Sequence, residues 1–303
     1  MAIILEANQI CQRIEKDNLT QLSLISTKLS LASVGVGQDN SANLYQLSQQ
    51  KAAQKLGINY IPLNLPSDIS YGDFKAQVDK INRDGKIDGI ILNKPFPTEW
   101  KAKDEDVFSL ISDKKDVEGM HPLNRGRFFS VDKQTVSSII AFSSLEHLLI
   151  SPTVLSVIAI INESFRKVND TEGYRGKRVT LVGFSLIIGK MLVLFLGNEL
   201  ATVSVTHIGT DEKGDLPEYL RSADIVISAV GKPHLIKGEW IKKGAIVIDV
   251  GTAVEDGKAV GDMDFDKVKE RAAVVTPVPG GVGKLTVMFL YHNLILAHKL
   301  KSK

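Results

Sequence analysis

Three runs of β-branched and other apolar residues, each closed by a glycine, constrain this chain more than any other feature. They are residues 178–182 before Gly183, residues 225–229 shortly before Gly231, and residues 246–250 before Gly251. Such runs are largely apolar and rich in β-branched residues, so they read as buried strands. Burial is the condition of a strand inside a parallel sheet covered by helices. A fourth run, residues 202–206, lies among them, and residues 189–200 carry helical periodicity. Strand, helix and strand joined by short connections require parallel pairing with right-handed crossovers. The second half of the chain is therefore expected to be a doubly wound, Rossmann-type domain.

The first half repeats the alternation. Residues 29–36, 58–63 and 89–92 read as strands, and residues 40–56 and 71–81 as helices, the first stopped by Gly57. A polar linker, residues 169–176, precedes the second series. Residues 285–300 have helical spacing and are expected to return to the first domain. The expected fold is α/β with two domains, 1–148 joined by a C-terminal helix within 284–303, and 149–283.

Composition narrows the function classes. The 303 residues include 37 basic and 35 acidic side chains, a net charge of +2, which offers no electrostatic footprint for nucleic acid or an anionic membrane. The lone Cys11 cannot form an internal disulfide, and no Cys/His cluster has metal-ligand spacing. The N-terminus lacks the basic start of a signal peptide, and no apolar run reaches the roughly 18 residues of a membrane span. A cytoplasmic protein without a metal is expected.

The loop Gly183-Phe184-Ser185 through Gly189 joins a strand to a helix. Glycine lets the backbone approach a phosphate, and a helix N-terminus offers free N–H groups. The pattern G-x-S-x-x-x-G also suits an ordinary turn. Three glycine-ended strands at one sheet edge favour a dinucleotide cleft.

The segment Thr276-Pro277-Val278-Pro279-Gly280-Gly281-Val282-Gly283 resembles the P-V-P-G-G-V-G signature of the methylenetetrahydrofolate dehydrogenase/cyclohydrolase family. Lys115-Asp116-Val117-Glu118-Gly119-Met120-His121-Pro122 is similar to that family's K-D-V-D-G-x-H-P. The stretches 176–185, 223–233, 244–251 and 260–265 also resemble family strings, in the same order. The resemblance implies a folate cleft between a catalytic domain and a nucleotide-binding domain. It implies hydride transfer from 5,10-methylenetetrahydrofolate to a nicotinamide dinucleotide, then hydrolysis of the methenyl product. A homodimer is implied as well.

Several positions depart from the pattern. The family carries Tyr and Lys four residues apart on one helix; here Tyr45 is kept and Gln49 replaces the lysine. Residues four apart share a helix face. Lys51 lies about 240° round from Tyr45 and is expected to be solvated. The family's glutamine after the third strand is Asn93, and its second aspartate is Glu118. His121 is expected to be structural. Phe184 stands where many family members place an arginine that could neutralise the extra phosphate of NADP, and residues 205–210 supply none.

The resemblance therefore assigns Tyr45, Gln49, Asn93 and Glu118 to the catalytic site. Tyr45, Asn93 and Glu118 would hold the folate, with Pro279, Gly280 and Gly281 along its ring. Gly183, Phe184, Ser185, Gly189, Gly231 and Thr252 would line the dinucleotide, NAD or NADP, with NAD slightly favoured. The expected activity is methylenetetrahydrofolate dehydrogenase with a weak or absent cyclohydrolase step. Alternatives are a bifunctional enzyme in which Lys284 or Lys94 supplies the amine, and a binding paralogue without turnover.

Overall fold

A computed structural model of the chain describes residues 2–37, 40–131, 148–186, 188–255 and 257–301. In chain order, β1 (Ile3–Ile4) and α1 (Asn8–Ser23) lead into β2 (Ser30–Val36), α2 (Asn40–Leu56), β3 (Asn59–Leu65), α3 (Tyr71–Arg83) and β4 (Gly89–Leu92). Next come α4 (Asp104–Ser109), α5 (Pro122–Phe129), α6 (Pro152–Lys167), β5 (Arg178–Val182), α7 (Gly189–Asn198) and β6 (Thr202–Thr206). The chain then runs through α8 (Ile208–Glu212), α9 (Leu216–Ser222), β7 (Ile225–Ser228), β8 (Ile246–Asp249), β9 (Ala253–Glu255) and β10 (Lys258–Val260). It ends with α10 (Phe265–Val268), β11 (Val274–Val275) and α11 (Val282–Lys301).

These elements fall into two compact units. Among the described residues, one contains 2–11, 131 and those within 153–286; the other contains those within 12–130, 148–152 and 287–301. The chain passes between them more often than a split after residue 148 provides. Residues 2–11, read from the sequence with the first domain, belong with the nucleotide-type sheet, because β1 pairs with β11 in parallel. A two-residue strand carries no periodicity, which is why the pattern did not reveal it.

The first unit is built on a six-stranded sheet of order β1-β11-β8-β7-β5-β6, parallel at every pair. The chain moves from β5 outward to β6 and then returns to β7 on the other side of β5, so the winding reverses at β5 and β7. The β7 and β8 strands are buried along their whole length, three apolar residues followed by the polar Ser228 and Asp249 in turn. One core packs Val182, Val226 and Val247 against Leu216, Leu220, Ile236 and Ile241.

The second unit holds a three-stranded parallel sheet of order β3-β2-β4. The central β2 is buried over its first five residues, and β4 over all four. The C-terminal helix contributes residues 287–301 here. Its buried Asn293 donates to the carbonyls of Val117 and Ile150, at 2.8 and 2.7 Å. At its end, His298 and Lys301 meet the buried Asp88, at 3.0 and 3.1 Å. Among the described residues, no helix is long and apolar enough to cross a membrane.

Candidate active site

In the three-stranded unit, a polar cluster sits on the edge formed by β2, β4 and the inward face of α2. Ser33 lies in the middle of β2, Asn93 follows β4 directly, and Gln49 projects from α2. All three are buried. The Asn93 Nδ2 donates to the Val34 carbonyl at 3.1 Å and to Ser33 Oγ at 2.8 Å. A carbonyl can only accept, so the Asn93 orientation is fixed with Oδ1 outward. That Oδ1 accepts from Gln49 Nε2 at 3.2 Å. Gln49 Oε1 in turn accepts from Ser33 Oγ at 3.0 Å and from the Tyr60 hydroxyl at 2.9 Å. Ser33, Gln49 and Asn93 thus close a ring of hydrogen bonds.

The ring reaches outward through tyrosines. Gln49 is hydrogen-bonded to the Tyr45 hydroxyl, one helical turn earlier. Its backbone carbonyl accepts from the Tyr291 hydroxyl at 2.6 Å. Burial raises the Tyr45 phenol above its ordinary range, and the charge of Glu118 raises it further. Tyr45 is therefore a neutral donor. Glu118 is pushed up to about 8, first by burial and then by the neighbouring Asp116; a hydrogen bond from the Leu92 backbone and the charge of Lys94 oppose this. At neutral pH Glu118 is mostly protonated, able to donate as well as accept.

Asp116 is itself buried, with one oxygen accepting from the His121 backbone at 2.7 Å and from Asn124 at 2.8 Å. His121 Nδ1 accepts from the Leu123 amide at 3.1 Å, capping α5. Lys51 is exposed on the outer face of α2.

In the six-stranded unit, the reversal between β5 and β7 is the crevice where open α/β sheets bind ligands. Gly183 follows β5 with φ +101°, and a Cβ there would stand 2.8 Å from the Ala229 carbonyl. Phe184 and Ser185 are exposed, and Ser185 Oγ accepts from the Ile188 amide at 3.3 Å, just before α7 begins at Gly189. Gly231 follows β7, and the Thr252 carbonyl beyond β8 comes within 4.0 Å of where its Cβ would be. The residues named from the sequence for the dinucleotide therefore lie on the C-terminal ends of neighbouring strands. Bare backbone at Gly183 and Gly231, with an uncapped helix start beside them, fits a pyrophosphate. Gly280, in the Pro-Gly-Gly segment, has φ +114°, and a Cβ on Gly281 would stand 2.7 Å from the Pro277 carbonyl. Lys284 donates to Asn8.

The catalytic-domain pattern of the tetrahydrofolate dehydrogenase/cyclohydrolase family matches residues 5–118, and the family's NAD(P)-binding domain matches residues 152–302. The bifunctional protein FolD of Aquifex aeolicus is 36% identical over 306 residues, 99% of this chain and 97% of that protein. The chain belongs to the tetrahydrofolate dehydrogenase/cyclohydrolase family. The bifunctional protein FolD 2 of Geobacter sulfurreducens is 36% identical, over 99% of this chain and 98% of its own length. Among solved structures, the methylenetetrahydrofolate dehydrogenase-cyclohydrolase of Trypanosoma brucei, complexed with NADP cofactor and inhibitor, is 28% identical with a TM-score of 0.85, over 100% of this chain and 99% of that one.

The two-domain α/β fold with a parallel NAD(P)-binding sheet, expected from the sequence, is that of the family. The chain is a folate enzyme with a nicotinamide-binding domain. Within one unit the structure brings Tyr45, Gln49, Asn93 and Glu118 together through hydrogen bonds and charge. Reading of the sequence missed Ser33 and Tyr60, which complete the ring. A serine inside an otherwise apolar buried strand was the available signal at Ser33. It also passed over the carboxylates of Asp249 and Asp262, each placed next to glycine-bordered backbone.

Proposed function

We propose that this chain oxidises 5,10-methylenetetrahydrofolate to the methenyl form and hydrolyses that product weakly or not at all. The dinucleotide, when bound, supplies the hydride acceptor, with NAD used at least as readily as NADP. Hydride departure needs no side-chain base, because the folate nitrogen's lone pair expels it. Positioning by Tyr45, Asn93 and Glu118 is what the chain contributes. Pro279, Gly280 and Gly281 offer a rigid backbone to the folate ring. Gly183, Phe184, Ser185, Gly189, Gly231 and Thr252 would line the dinucleotide. A homodimer in the cytoplasm accords with the family resemblance.

The observation that carries the hydrolysis reading is the state of Gln49. Its amide oxygen accepts two hydrogen bonds and its amide nitrogen is engaged by Asn93 and Tyr45. A lysine could shuttle a proton to and from water; an amide does not titrate near neutral pH. Here it also has no hydrogen-bonding capacity left for water. A general base typically contributes about a hundredfold to ten-thousandfold, which this site forgoes at position 49. The test is turnover of methylenetetrahydrofolate with each dinucleotide, followed by methenyl hydrolysis. Hydrolysis far above the uncatalysed rate overturns the reading.

A second reading keeps both steps, with Lys94 as the amine. It is favoured by one observation: the Lys94 charge acts on Glu118. If wild-type protein hydrolyses the methenyl product and Lys94→Ala does not, this reading replaces the first. Lys284 is less suited, since its ammonium is hydrogen-bonded to Asn8.

A further inference from the structure

Two carboxylates in the six-stranded unit have no part in the chemistry above. Asp249 ends β8 and is 3% exposed; Asp262 follows β10 and is 1% exposed. Burying two acids side by side is costly, so their partners indicate what the arrangement achieves. Asp249 accepts three backbone N–H groups, from Gly251, Asp262 and Met263, each at 3.1 Å. Asp262 accepts through Oδ2 from the Ser228 hydroxyl at 2.7 Å and from the Val230 amide at 2.8 Å. Its other oxygen, Oδ1, is buried and has no hydrogen-bond partner among the described residues.

These bonds tie three separate segments. Ser228 and Val230 are the end of β7, leading into Gly231. Asp249 and Gly251 are the end of β8, leading into Thr252. Residues 261–263 follow the β9–β10 hairpin, which is antiparallel and, among the described residues, pairs with no other strand. The backbone is bare where it meets the acids. A Cβ on Gly251 would fall 2.1 Å from the Asp262 carboxyl carbon, and one on Gly261 would fall 2.2 Å from Asp249 Oδ2. No side chain but glycine fits either place, so both carboxylates lie flush against main chain.

We infer that Asp249 and Asp262 are positioning residues for the dinucleotide: a buried cross-brace that sets Gly231 and Thr252 at the β7 and β8 ends. The inference rests on the dinucleotide reading proposed above. It assigns the acids no contact with the cofactor. They act through the backbone that would contact it.

The bonding is asymmetric, and that gives the test. In Asp262→Asn, the amide oxygen can keep both bonds to Ser228 and Val230 while the NH2 takes the partnerless Oδ1 place. In Asp249→Asn, both oxygens already accept backbone N–H groups, so an NH2 must face a donor and at least one bond is lost. Asp262→Ala loses both of its bonds. The experiment is fluorescence titration of the full-length chain with NADH and NADPH, together with steady-state kinetics.

Asp249→Asn and Asp262→Ala are expected to weaken dinucleotide binding by about tenfold or more, the equivalent of one lost buried hydrogen bond. The dinucleotide KM should rise with them while kcat at saturation changes little. Asp262→Asn should stay within about twofold of wild type. Should Asp262→Ala fail to fold, the contrast between the two asparagine variants carries the test alone. Equal binding by Asp249→Asn, Asp262→Asn and wild type overturns the positioning role. Failure of the wild-type chain to bind either dinucleotide overturns the functional reading, and this inference falls with it.

Discussion

Gln49 shows how one residue changes what its neighbours must do. The ring through Ser33 and Asn93 uses the amide as acceptor and donor at once. Lysine has three donors and no acceptor. Gln49→Lys should therefore strand the Ser33 hydroxyl, which is fully buried, and lower stability by about 1–3 kcal/mol. The same variant should raise methenyl hydrolysis, since it supplies a titratable amine beside Tyr45. Chemical denaturation and the hydrolysis assay read the two effects separately. A gain in hydrolysis with unchanged stability would mean that the ring is not the constraint described. Glu118 carries a second expectation. Hydride loss leaves a positively charged methenyl product, and a carboxylate stabilises that charge better than a neutral acid does. With Glu118 at about 8, the dehydrogenase kcat should rise between pH 7 and 9. Glu118→Gln should flatten that rise. A wild-type profile flat over this range would remove Glu118 from the charge-stabilising role.

At the scale of elements, the proposed dinucleotide choice turns on the passage from β5 into α7. Gly183 swings the chain under the switch point, and Phe184 emerges 48% exposed where a cation could meet a 2′-phosphate. The nearby Lys232 is paired with Asp211 at 3.4 Å. Phe184→Arg should shift preference toward NADP by about tenfold or more, from one charge-assisted contact of roughly 1.5–3 kcal/mol. Comparison of kcat/KM for NAD and NADP measures it; an unchanged ratio places the 2′-phosphate elsewhere. This turn was readable because a β-branched run, a glycine and a helical period meet there. The same signals located β2, β4, β6, β7 and α2 closely. They failed where no period exists or where position depends on distant chain. The two residues of β1 join a sheet whose partner strand lies some 270 positions later. The helix α7 stops at Asn198, two residues short of its apolar pattern, because Leu200 turns to φ +64°. The helix α6 lies in a stretch to which the strand and helix patterns assigned nothing. Ser33, Tyr60, Asp249 and Asp262 come from separate elements, so their cooperation is a product of topology.

Across the whole molecule, each unit sets two acids beside each other: Asp116 with Glu118, and Asp249 with Asp262. That repetition has a consequence for stability against pH. Burial first, and the neighbouring acid second, raise Glu118 from 4.5 to about 8 and Asp249 from 3.8 to about 7. The folded chain therefore holds protons that the unfolded chain has released. Their stabilisation is fully present below the unfolded values and is lost as pH rises through the folded ones. His292 works in the opposite sense. Burial, then Lys299, lowers it from 6.5 to about 4, so its contribution is complete above 6.5 and lost as pH falls toward 4. Asp88, Asp170 and Asp224 are lowered below 3.8, so their contributions are present throughout the neutral range. Above pH 6.5, of these groups, only Glu118 and Asp249 still change. The unfolding midpoint should therefore fall between pH 6.5 and 8, most steeply below pH 7, where both acids still hold protons that the unfolded chain has released. Glu118→Gln should reduce the slope throughout and remove most of it between 7 and 8. Asp262→Asn, by removing the neighbouring charge, should flatten the part below 7. Thermal unfolding of the three proteins across this range tests the assignment, and a wild-type midpoint that rises from pH 6.5 to 8 would mean that these acids are ionised in the folded chain.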